Sequence, residues 1–215
     1  MGHPVWPLYD LRLRVANLEL RLPSEVELAD LVAVARAGIH PAAEMPFAVP
    51  WTDLPSPAFE RSAWQFHLGT RANWRPERWA LPLGVWADGR LAGTQDISAE
   101  NFPGRKTVHT GSWLGAEFQG HGIGRLMRQA VLALAFDHLG AEIAESEAFI
   151  TNPASAAVSR AVGYEPNGSG RVAPRGTPVD TERFRMTLEG WRSRERPEVE
   201  VEGFDACREL FGVAL

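Results

Sequence analysis

The sequence predicts a single mixed α/β domain whose central sheet is mostly antiparallel and flanked by helices. At 215 residues the chain is long enough for one domain with a substantial core and short for two. Its first half predicts strands joined by tight turns, and its second half runs strand, helix, strand, helix, strand. We therefore expect one domain over residues 1–215, with a core of about 10–192 and a C-terminal extension of 193–215.

The first elements are two strands and a helix. Leu11–Val15 and Leu18–Leu22 alternate apolar with charged residues, which predicts two edge strands. Ser24 and Glu27 have the spacing of a capping box and predict the start of a helix. Gly38 predicts its end, because glycine accepts the left-handed conformation that often follows a helix.

The segment Ile39–Pro57 is predicted to be a loop, since it contains five prolines and no regular periodicity. It nevertheless carries three large apolar residues, Met45, Phe47 and Trp51. Two interpretations are equally favoured. The apolar residues either fold back as a lid over a pocket or cover part of the core.

A helix is predicted from Ala58 to about Trp74, followed by a hairpin. Leu81–Val85 alternates apolar residues and leads into Asp88-Gly89, a dipeptide that strongly favours a tight hairpin turn. The partner strand is then Leu91–Ile97. Three further strands are predicted, at Val108–Gly115, Ala141–Ile150 and, as the final core strand, Arg183–Leu188. Between them lie an amphipathic helix with its apolar stripe over Ile123–Leu134 and its end at Gly140, and a second helix at Asn152–Val162.

Composition and charge exclude several classes of protein. Hydrophobic residues make up 45% and charged residues 23% of the chain, as in ordinary globular proteins. A net charge of −5 argues against a general nucleic-acid binder, which needs a basic face. The single cysteine, Cys207, excludes an internal disulfide and fits a reducing, cytoplasmic location. No export signal or membrane-spanning stretch is expected, and homo-oligomerisation stays open.

The most informative segment is Phe118–Arg125, which lies between a predicted strand and the amphipathic helix. Its glycines, Gly120, Gly122 and Gly124, allow the backbone to approach a ligand without an intervening Cβ atom. The helix that follows offers free N–H groups and the positive end of its dipole, a combination that typically binds phosphate. On the glycines alone, a turn that merely starts a helix is an equally good interpretation.

Two common phosphate loops do not match. A Walker loop needs Gly-Lys-Ser/Thr at the helix entrance, where this chain has Ile123-Gly124-Arg125. A dinucleotide-binding loop needs a glycine at the position of Arg125. The remaining pattern is Gln-x-x-Gly-x-Gly, formed by Gln119, Gly122 and Gly124.

A second motif, Asn152-Pro153-Ala154-Ser155, opens the next helix. Asn at the N-cap and Pro at the first helical position are favoured at any helix start, so a purely structural role is a strong alternative. The strand before it places the small residues Ala144, Ser146 and Ala148 on one face. Either a thin ligand arm lies in the slot that these residues leave, or a helix packs closely on them.

These motifs resemble those of the GCN5-related N-acetyltransferases (GNATs), in which Gln-x-x-Gly-x-Gly binds the diphosphate of an acyl-CoA. The order and spacing also match at Gly111–Gly115, Asn152-x-x-Ser155 and Gly163-Tyr164. Within that superfamily the chain resembles the ribosomal-protein N-terminal alanine acetyltransferases. It is also similar to a mycobacterial GNAT subgroup associated with succinyl-CoA, at Met45–Phe47, Val49–Thr52, Gly111–Gly115, Asn152–Arg160 and Gly203–Asp205.

The resemblance implies an N-acyltransferase that moves an acetyl or succinyl group from CoA directly to an amine, without a metal. The acceptor would be a protein N-terminus, a lysine or a small molecule. Backbone groups of Trp113 and Leu114 would pair with the pantetheine arm, and Asn152 would contact it. The diphosphate would bind at the loop residues Gln119, Gly120, His121, Gly122, Ile123, Gly124 and Arg125.

The resemblance also implies catalytic roles. Many GNATs protonate the departing thiolate with a Tyr seven residues after the Asn, where this chain has Ser159. The alanine acetyltransferase branch uses a Ser three residues after it, which makes Ser155 the candidate acid. The general base stays open among Asp53, Asp96, Glu100 and His109. A catalytically silent acyl-CoA-binding module and a different phosphate binder are the alternative functions.

A succinyl donor ends in a carboxylate and would need a cation beyond the thioester. The sequence offers four arginines near the predicted pocket, of which any one could serve: Arg61, Arg71, Arg171 and Arg175.

Overall fold

The computed structural model describes residues 2–213 and is built around one sheet of nine strands. In chain order the strands are β1 Arg12–Val15, β2 Leu18–Arg21, β3 Arg78–Ala87, β4 Arg90–Glu100, β5 Thr107–Leu114, β6 Ile143–Phe149, β7 Glu165–Val172, β8 Val179–Thr187 and β9 Glu200–Glu202. They lie side by side in the order β7-β8-β6-β5-β4-β3-β2-β1-β9. Every pairing is antiparallel except that of β5 with β6, so the predicted mixed, mostly antiparallel sheet is confirmed.

The helices in the described part of the chain are α1 Glu25–Ala37, α2 Ala58–Ala72, α3 Phe102–Arg105, α4 Ile123–Ala133, α5 Pro153–Val162, α6 Leu188–Arg192 and α7 Phe204–Cys207. Helix α4 continues as a π-helical segment, Leu134–Leu139, and Gly140 ends it in the left-handed conformation. Single 3-10 turns lie at Pro7–Tyr9, Trp51–Asp53, Ala116–Phe118, Pro174–Gly176 and Arg208–Phe211.

The helices cover both faces of the sheet. Helices α1 and α2 pack on the face that carries Trp113, which contacts their residues Val32 and Phe59. Helix α4 packs on the opposite face, where its buried stripe joins the main core beneath β1–β6, and α5 lies beside it on β6. The amphipathic pattern of the sequence predicted this burial, because apolar residues at three- and four-residue spacing form one helical face.

Helix α1 begins as its sequence predicts. The Ser24 hydroxyl accepts a hydrogen bond from the backbone N–H of Glu27, and the Glu27 carboxylate accepts one from the Ser24 N–H. Arg21 also donates two hydrogen bonds to this carboxylate and lowers the pKa of Glu27 to about 2. The predicted capping box is therefore confirmed.

The prediction that the first two strands are edge strands is wrong. β1 pairs with β2 on one side and with Glu200–Glu202 on the other, and β2 lies between β1 and β3. The C-terminal segment also places Phe204 and Phe211 in the main core. A pairing between strands almost 190 residues apart depends on long-range contacts that no local pattern reveals.

The sheet also contains a strand that the sequence did not predict. Glu165–Val172 contains a proline and two glycines, which argue against a strand, yet it pairs with β8 as the outermost strand β7. An edge strand tolerates proline because one of its sides needs no ladder hydrogen bonds. Strand β8 begins at Val179, four residues before the predicted start at Arg183, and it is not the last strand.

The predicted hairpin of β3 and β4 turns at Asp88 and Gly89, both of which have positive φ, at 49° and 77°. Four residues later, Gly93 lies against β5. A Cβ atom at Gly93 would lie 2.2 Å from the carbonyl oxygen of Trp113. A side chain at this position would therefore push β4 away from the strand that carries the predicted pantetheine site.

We predict that Gly93→Ala destabilises the protein more than Gly89→Ala does, although both glycines belong to one hairpin. At Gly89 the added methyl meets open space, so only the left-handed backbone conformation is penalised, by about 1–2 kcal/mol. At Gly93 the clash with Trp113 adds an overpacking cost of about 1–3 kcal/mol. Urea denaturation of both variants measures the difference, and equal losses of unfolding free energy would contradict the close approach.

Candidate active site

The central feature of the site is a cleft between the two parallel strands. β5 and β6 pair only at Thr107, Val108 and His109, and then the strands separate. Within residues 2–213, Gly111–Leu114 of β5 consequently has no partner strand on the side facing β6, and Ser146–Phe149 has none on the side facing β5. Unpaired strand edges offer N–H and C=O groups to an extended ligand.

Side chains end the parallel ladder. The Thr110 hydroxyl donates a hydrogen bond of 3.3 Å to the backbone carbonyl of Glu145, where the next ladder hydrogen bond would otherwise form. The Tyr164 hydroxyl lies 2.9 Å from the Thr110 hydroxyl, and burial raises the pKa of Tyr164. The two buried hydroxyls thus lie where the paired part of β5 and β6 ends, which we call the closed end of the cleft; the open end is where the strands are farthest apart.

The glycine loop follows the open end of the cleft. Gly120 and Gly122 have φ values of 79° and 80°, a conformation that favours glycine over all other residues. Within residues 2–213, no hydrogen-bond partner is found for the five successive backbone N–H groups from Gly120 to Gly124. These groups lie at the N-terminus of α4, where the helix dipole favours an anion.

The loop therefore fits a diphosphate. A Cβ atom at Gly120 or Gly122 would meet no protein atom within 4 Å, so these positions border open space rather than packed chain. Arg125 and His121 are exposed beside the free N–H groups, and Ile123 is buried and anchors the helix start in the core. Gly124 lies in the first turn of α4, 3.4 Å from Val158 when a Cβ is added.

The side chain of Gln119 holds the loop in place. Its amide nitrogen donates hydrogen bonds of 2.7 Å to the Ile39 carbonyl and 2.8 Å to the Leu114 carbonyl. Its own backbone N–H is also engaged, by the Ala116 carbonyl. Gln119 therefore positions the loop, and its amide nitrogen already donates a hydrogen bond to the Leu114 carbonyl oxygen.

Asn152 and Ser155 lie at the start of α5. The Asn152 side-chain oxygen accepts a hydrogen bond of 3.2 Å from the Ser155 backbone N–H, so Asn152 is the N-cap. The Ser155 side chain is half-buried, and its hydroxyl has no hydrogen-bond partner within the described residues. The interpretation of Asn152 as a helix-capping residue is therefore confirmed. Within the described residues, the amide nitrogen of Asn152 and the Ser155 hydroxyl remain free to hydrogen-bond a ligand.

Of the two interpretations of the small residues on β6, close packing of a helix is confirmed, and a ligand arm beside them stays a prediction. Helix α5 packs on them, since the hydroxyls of Ser159 and Ser146 lie 3.4 Å apart and Ser159 is fully buried. The cleft between β6 and β5 is nevertheless present on the other side of Ser146.

A cavity of about 480 Å³ adjoins the end of the β5–β6 ladder. The residues that line it include Thr110 and Ser146 and the charged or titratable residues His109, Glu145, Glu147 and Arg183. The His109 Nδ1 atom lies 3.6 Å from a Glu145 carboxylate oxygen. Sequence reasoning missed Glu145 and Glu147, although their alternation with Ala144, Ser146 and Ala148 places them on the opposite face of the strand.

The structure separates the four candidate bases. Asp53 forms a bidentate ion pair with Arg175, and Glu100 pairs with Arg78 in an exposed position at the far end of β4. Neither lines the cavity. His109 does line it, and Asp96 lies next to Gly111, where a Cβ would be 2.7 Å from the Asp96 carboxylate.

Asp96 has an electrostatically unfavourable position. The residue is half-buried, and burial of its carboxylate raises its pKa, an effect that the nearby Arg128 and backbone hydrogen bonds only partly offset. Desolvation favours the neutral form of a carboxyl group because the charged form loses its hydration.

The apolar residues of the 39–57 loop do two things at once. Phe47 and Trp51 pack against α1 and α2, and thus cover a small second apolar cluster. Trp51 also lies 6.0 Å, centroid to centroid, from Trp113, which belongs to the unpaired part of β5. The loop therefore borders the cleft on the α1–α2 face, where the ion pair of Asp53 and Arg175 joins it to the β7–β8 connection.

The chain matches a family model for the acetyltransferase (GNAT) domain over residues 17–165, and it therefore belongs to the GNAT acetyltransferase family. Solved structures with the same fold include Mycobacterium smegmatis RimJ in complex with a CoA disulfide, at 21% identity over 85% of this chain and 90% of that one, with a TM-score of 0.69. RimL, a ribosomal L7/L12 alpha-N-protein acetyltransferase in complex with CoA, matches at 19% identity over 83% and 99%, with a TM-score of 0.67. An acetyltransferase of Salmonella typhimurium that modifies the N-terminal serine of ribosomal protein L7/L12 matches at 19% identity over 80% and 95%, with a TM-score of 0.64.

Two further observations concern residues 2–213. No helix among them is both long and apolar enough to cross a membrane. The same residues contain no group of three or more His, Cys, Asp or Glu side chains arranged to hold a metal ion.

We predict that Asp96→Asn changes the pH dependence of stability. The folded-state pKa of Asp96 lies above its unfolded value of 3.8, so the folded state binds more protons than the unfolded state as pH rises through and above that value. Stability of the wild type therefore falls across this interval, whereas Asn cannot ionise. The variant should gain stability relative to wild type as the pH rises above 3.8 in urea denaturation.

Asp180→Asn is the matched control, because its carboxylate is exposed and pairs with Arg171 at the surface. The same relative gain in both variants, or none in Asp96→Asn, would contradict the unfavourable burial of Asp96.

Proposed function

We propose that the protein is an acyl-CoA-dependent N-acyltransferase that moves an acyl group, acetyl or succinyl, directly from CoA to an amine. One observation carries the proposal: five free N–H groups at a helix N-terminus open onto a cleft between two separating strands. A diphosphate at the loop and an extended arm in the cleft match the two halves of CoA in charge and shape. Family membership supports the same reaction.

The diphosphate binds the N–H groups of Gly120–Gly124 in this proposal, with Arg125 and His121 beside it. Both phosphates are anionic, so the helix dipole and the arginine stabilise them electrostatically. Gln119 acts by holding the loop against Ile39 and Leu114.

The pantetheine arm lies along Trp113 and Leu114 as an added strand, because this edge of β5 has no partner. The free amide nitrogen of Asn152 donates to the arm from the opposite side. The arm thus runs from the loop at the open end of the cleft towards its closed end.

Ser155 protonates or hydrogen-bonds the departing thiolate. Its hydroxyl is unengaged within the described residues, and it lies in the first turn of α5. The N-terminal end of the helix stabilises negative charge, which favours a thiolate there. Ser159 is fully buried against Ser146, so it is a poorer candidate for this role.

His109 accepts the proton of the attacking amine. His109 lines the cavity and is the last residue of β5 that pairs with β6. The Glu145 carboxylate lies beside its Nδ1 atom and orients the ring. A ring nitrogen of histidine is the side-chain atom that most often accepts a proton in general base catalysis. Glu145 and Glu147 also give the α1–α2 side of the cavity negative charge, which attracts a cationic amine.

The acceptor is an amine of a protein N-terminus, a lysine or a small molecule. Two of the structural relatives are named as enzymes that act on ribosomal protein L7/L12, at its α-amino group and at its N-terminal serine. A peptide N-terminus is accordingly the first acceptor to test.

The experiment that tests the function is thiol release from acetyl-CoA and succinyl-CoA in the presence of a panel of amines, including N-terminal peptides. Release that depends on the amine supports acyl transfer. Binding of CoA without amine-dependent release would instead support a silent acyl-CoA-binding module. Retention on immobilised ATP but not on immobilised CoA would exclude both.

We predict that Gly122→Val abolishes CoA binding. Valine is strained at the φ of 80°, and its branched side chain would occupy the space in which the diphosphate approaches the backbone. Gly140→Val is the matched control, since Gly140 has a φ of 72° and open space at the other end of the same helical stretch. Titration calorimetry should show CoA affinity lost in the first variant and retained within a few-fold in the second. Retained affinity in a folded Gly122→Val variant would remove the diphosphate site.

We predict that Ser155→Ala lowers the turnover rate by roughly tenfold or more, towards the ~10²–10⁴ typical of acid–base groups, while CoA affinity stays within a few-fold. The hydroxyl acts mainly in the transition state, so its loss affects turnover rather than binding. Ser169→Ala, on the exposed strand β7, is the control and should leave turnover unchanged. Wild-type turnover in Ser155→Ala would reduce Ser155 to a residue of the helix start.

A further inference from the structure

One face of the sheet stays open to solvent beyond the cleft. His109 and Glu147 lie on the face that carries Trp113, because side chains alternate along a strand and paired residues point to the same side. Helices α1 and α2 pack over β3 and β4 on this face, whereas Arg183, which pairs with Glu147 from β8, is exposed. A chain that leaves the cleft on this side can therefore lie across β6, β8 and β7.

The open face carries two rows of opposite charge. Glu145 and Glu147 form an acidic row on β6, and their ladder partners on β8 are Arg185 and Arg183. The acidic row is nearer to the cleft, because β6 is one of the two strands that separate there. Neighbouring strands lie about 4.8 Å apart, so the basic row is roughly 7 Å from the middle of the cleft. Cross-strand pairs of opposite charge also stabilise a sheet, which is the alternative role of these residues.

Arg183 has a free edge that a purely structural pair would not need. Its Nε atom lies 3.4 Å from the Glu147 carboxylate, which also accepts a hydrogen bond from the Thr181 hydroxyl. One of its terminal nitrogens lies over Gly170 of β7, 2.7 Å from the place that a Cβ atom would take. Within residues 2–213, neither terminal nitrogen has a hydrogen-bond partner. The guanidinium is thus held at one edge and free to donate at the other.

The free edge of Arg183 adjoins the cavity, and a second donor lies beside it. Asn167 belongs to a bulge of β7 that lies opposite Arg183, and a bulge redirects the side chains of its strand. The Asn167 side chain is exposed and has no hydrogen-bond partner within the described residues. The cavity of about 480 Å³ is lined by both donors and also by the groups nearer to the cleft, His109, Glu145 and Glu147.

We propose that Arg183 and Asn167 bind a carboxylate of the acceptor, namely an acidic side chain at the second or third residue of a peptide whose N-terminal amine is acylated. The inference rests on the proposed acyltransferase function and deepens it by assigning a class of acceptor. An extended chain advances about 3.4 Å per residue, so a peptide with its amine at the cleft places its second or third residue over β8. The free edge of a guanidinium suits a planar carboxylate.

Charge complementarity favours this acceptor over a neutral or a basic one. The amine lies beside Glu145 and His109 in the acidic part of the cavity, and the acidic side chain lies beside Arg183. A basic residue in the same place would be repelled by the guanidinium, and a neutral one would gain little. Because these groups are exposed, water and salt weaken the interaction, so the preference is several-fold rather than many orders of magnitude.

The test compares kcat/KM for thiol release with peptides that differ only at the second and third residues, which are both Glu, both Gln or both Lys. The donor is whichever of acetyl-CoA and succinyl-CoA the enzyme uses, and an amidated C-terminus removes the other carboxylate of each peptide. The glutamate peptide should exceed the glutamine peptide by about fivefold, mainly through KM, and the lysine peptide should be the poorest. In Arg183→Gln the glutamate-to-glutamine ratio should fall to about twofold or less, and Arg183→Lys should retain part of it.

Arg171→Gln is the matched control, because it removes one positive charge from the same hairpin on the opposite face of the sheet, where Arg171 pairs with Asp180. It should leave the glutamate-to-glutamine ratio unchanged, and an equal fall in both variants would contradict a local site. Equal kcat/KM for the glutamate and glutamine peptides in wild type would overturn the proposal, as would an unchanged ratio in an Arg183→Gln variant that still binds CoA like wild type. Binding of CoA without amine-dependent release from any peptide or other amine would instead overturn the proposed function.

Discussion

The early end of the β5–β6 ladder is the constraint on which the rest of the structure depends. The Thr110 hydroxyl takes the Glu145 carbonyl, and Tyr164 and Arg128 fill the fork beyond it, so the strands diverge after three paired residues. Divergence leaves two unpaired strand edges, and a cavity adjoins the point at which the strands separate. A continuous parallel ladder would have satisfied more backbone groups, but it would have left no space for a ligand between α4 and the 39–57 loop.

The two faces then divide the chemistry. The α4 face carries the glycine loop with its N–H groups at a helix N-terminus, the half-buried Ser155 and the buried guanidinium of Arg128, groups that favour an anionic ligand. The α1–α2 face carries Glu145, Glu147 and His109 around the same cavity, and thus fits a cationic or neutral amine. The two faces therefore present groups of opposite charge near the point at which β5 and β6 separate. The 39–57 loop, which contains Trp51 and is tied to Arg175 by Asp53, borders the cleft on the α1–α2 face.

Parts of the site were accessible to sequence reasoning because they depend on local geometry. The glycine loop, the Asn152 cap and the capping box at Ser24 all follow from conformational preferences of a few consecutive residues. Arg128 was not found, because it lies outside the predicted apolar stripe of α4, and no local pattern shows that its guanidinium reaches between two strands. Glu145 and Glu147 could have been found from the alternation along β6, which places them opposite the small residues.

The sequence by itself determined the mixed, mostly antiparallel sheet, the four longest helices α1, α2, α4 and α5, and the glycine-rich loop before α4, since each is set by periodicity, capping or glycine within one segment. Only the tertiary structure decided that β9 covers β1, that a proline- and glycine-containing segment forms the outer strand β7, and that β5 and β6 separate after three residues. The tertiary structure also decided that the Arg128 side chain bridges Ser112 of β5 and Ser146 of β6. These features depend on hydrogen bonds and packing between residues far apart in the chain, and their free energies are not contained in any local pattern.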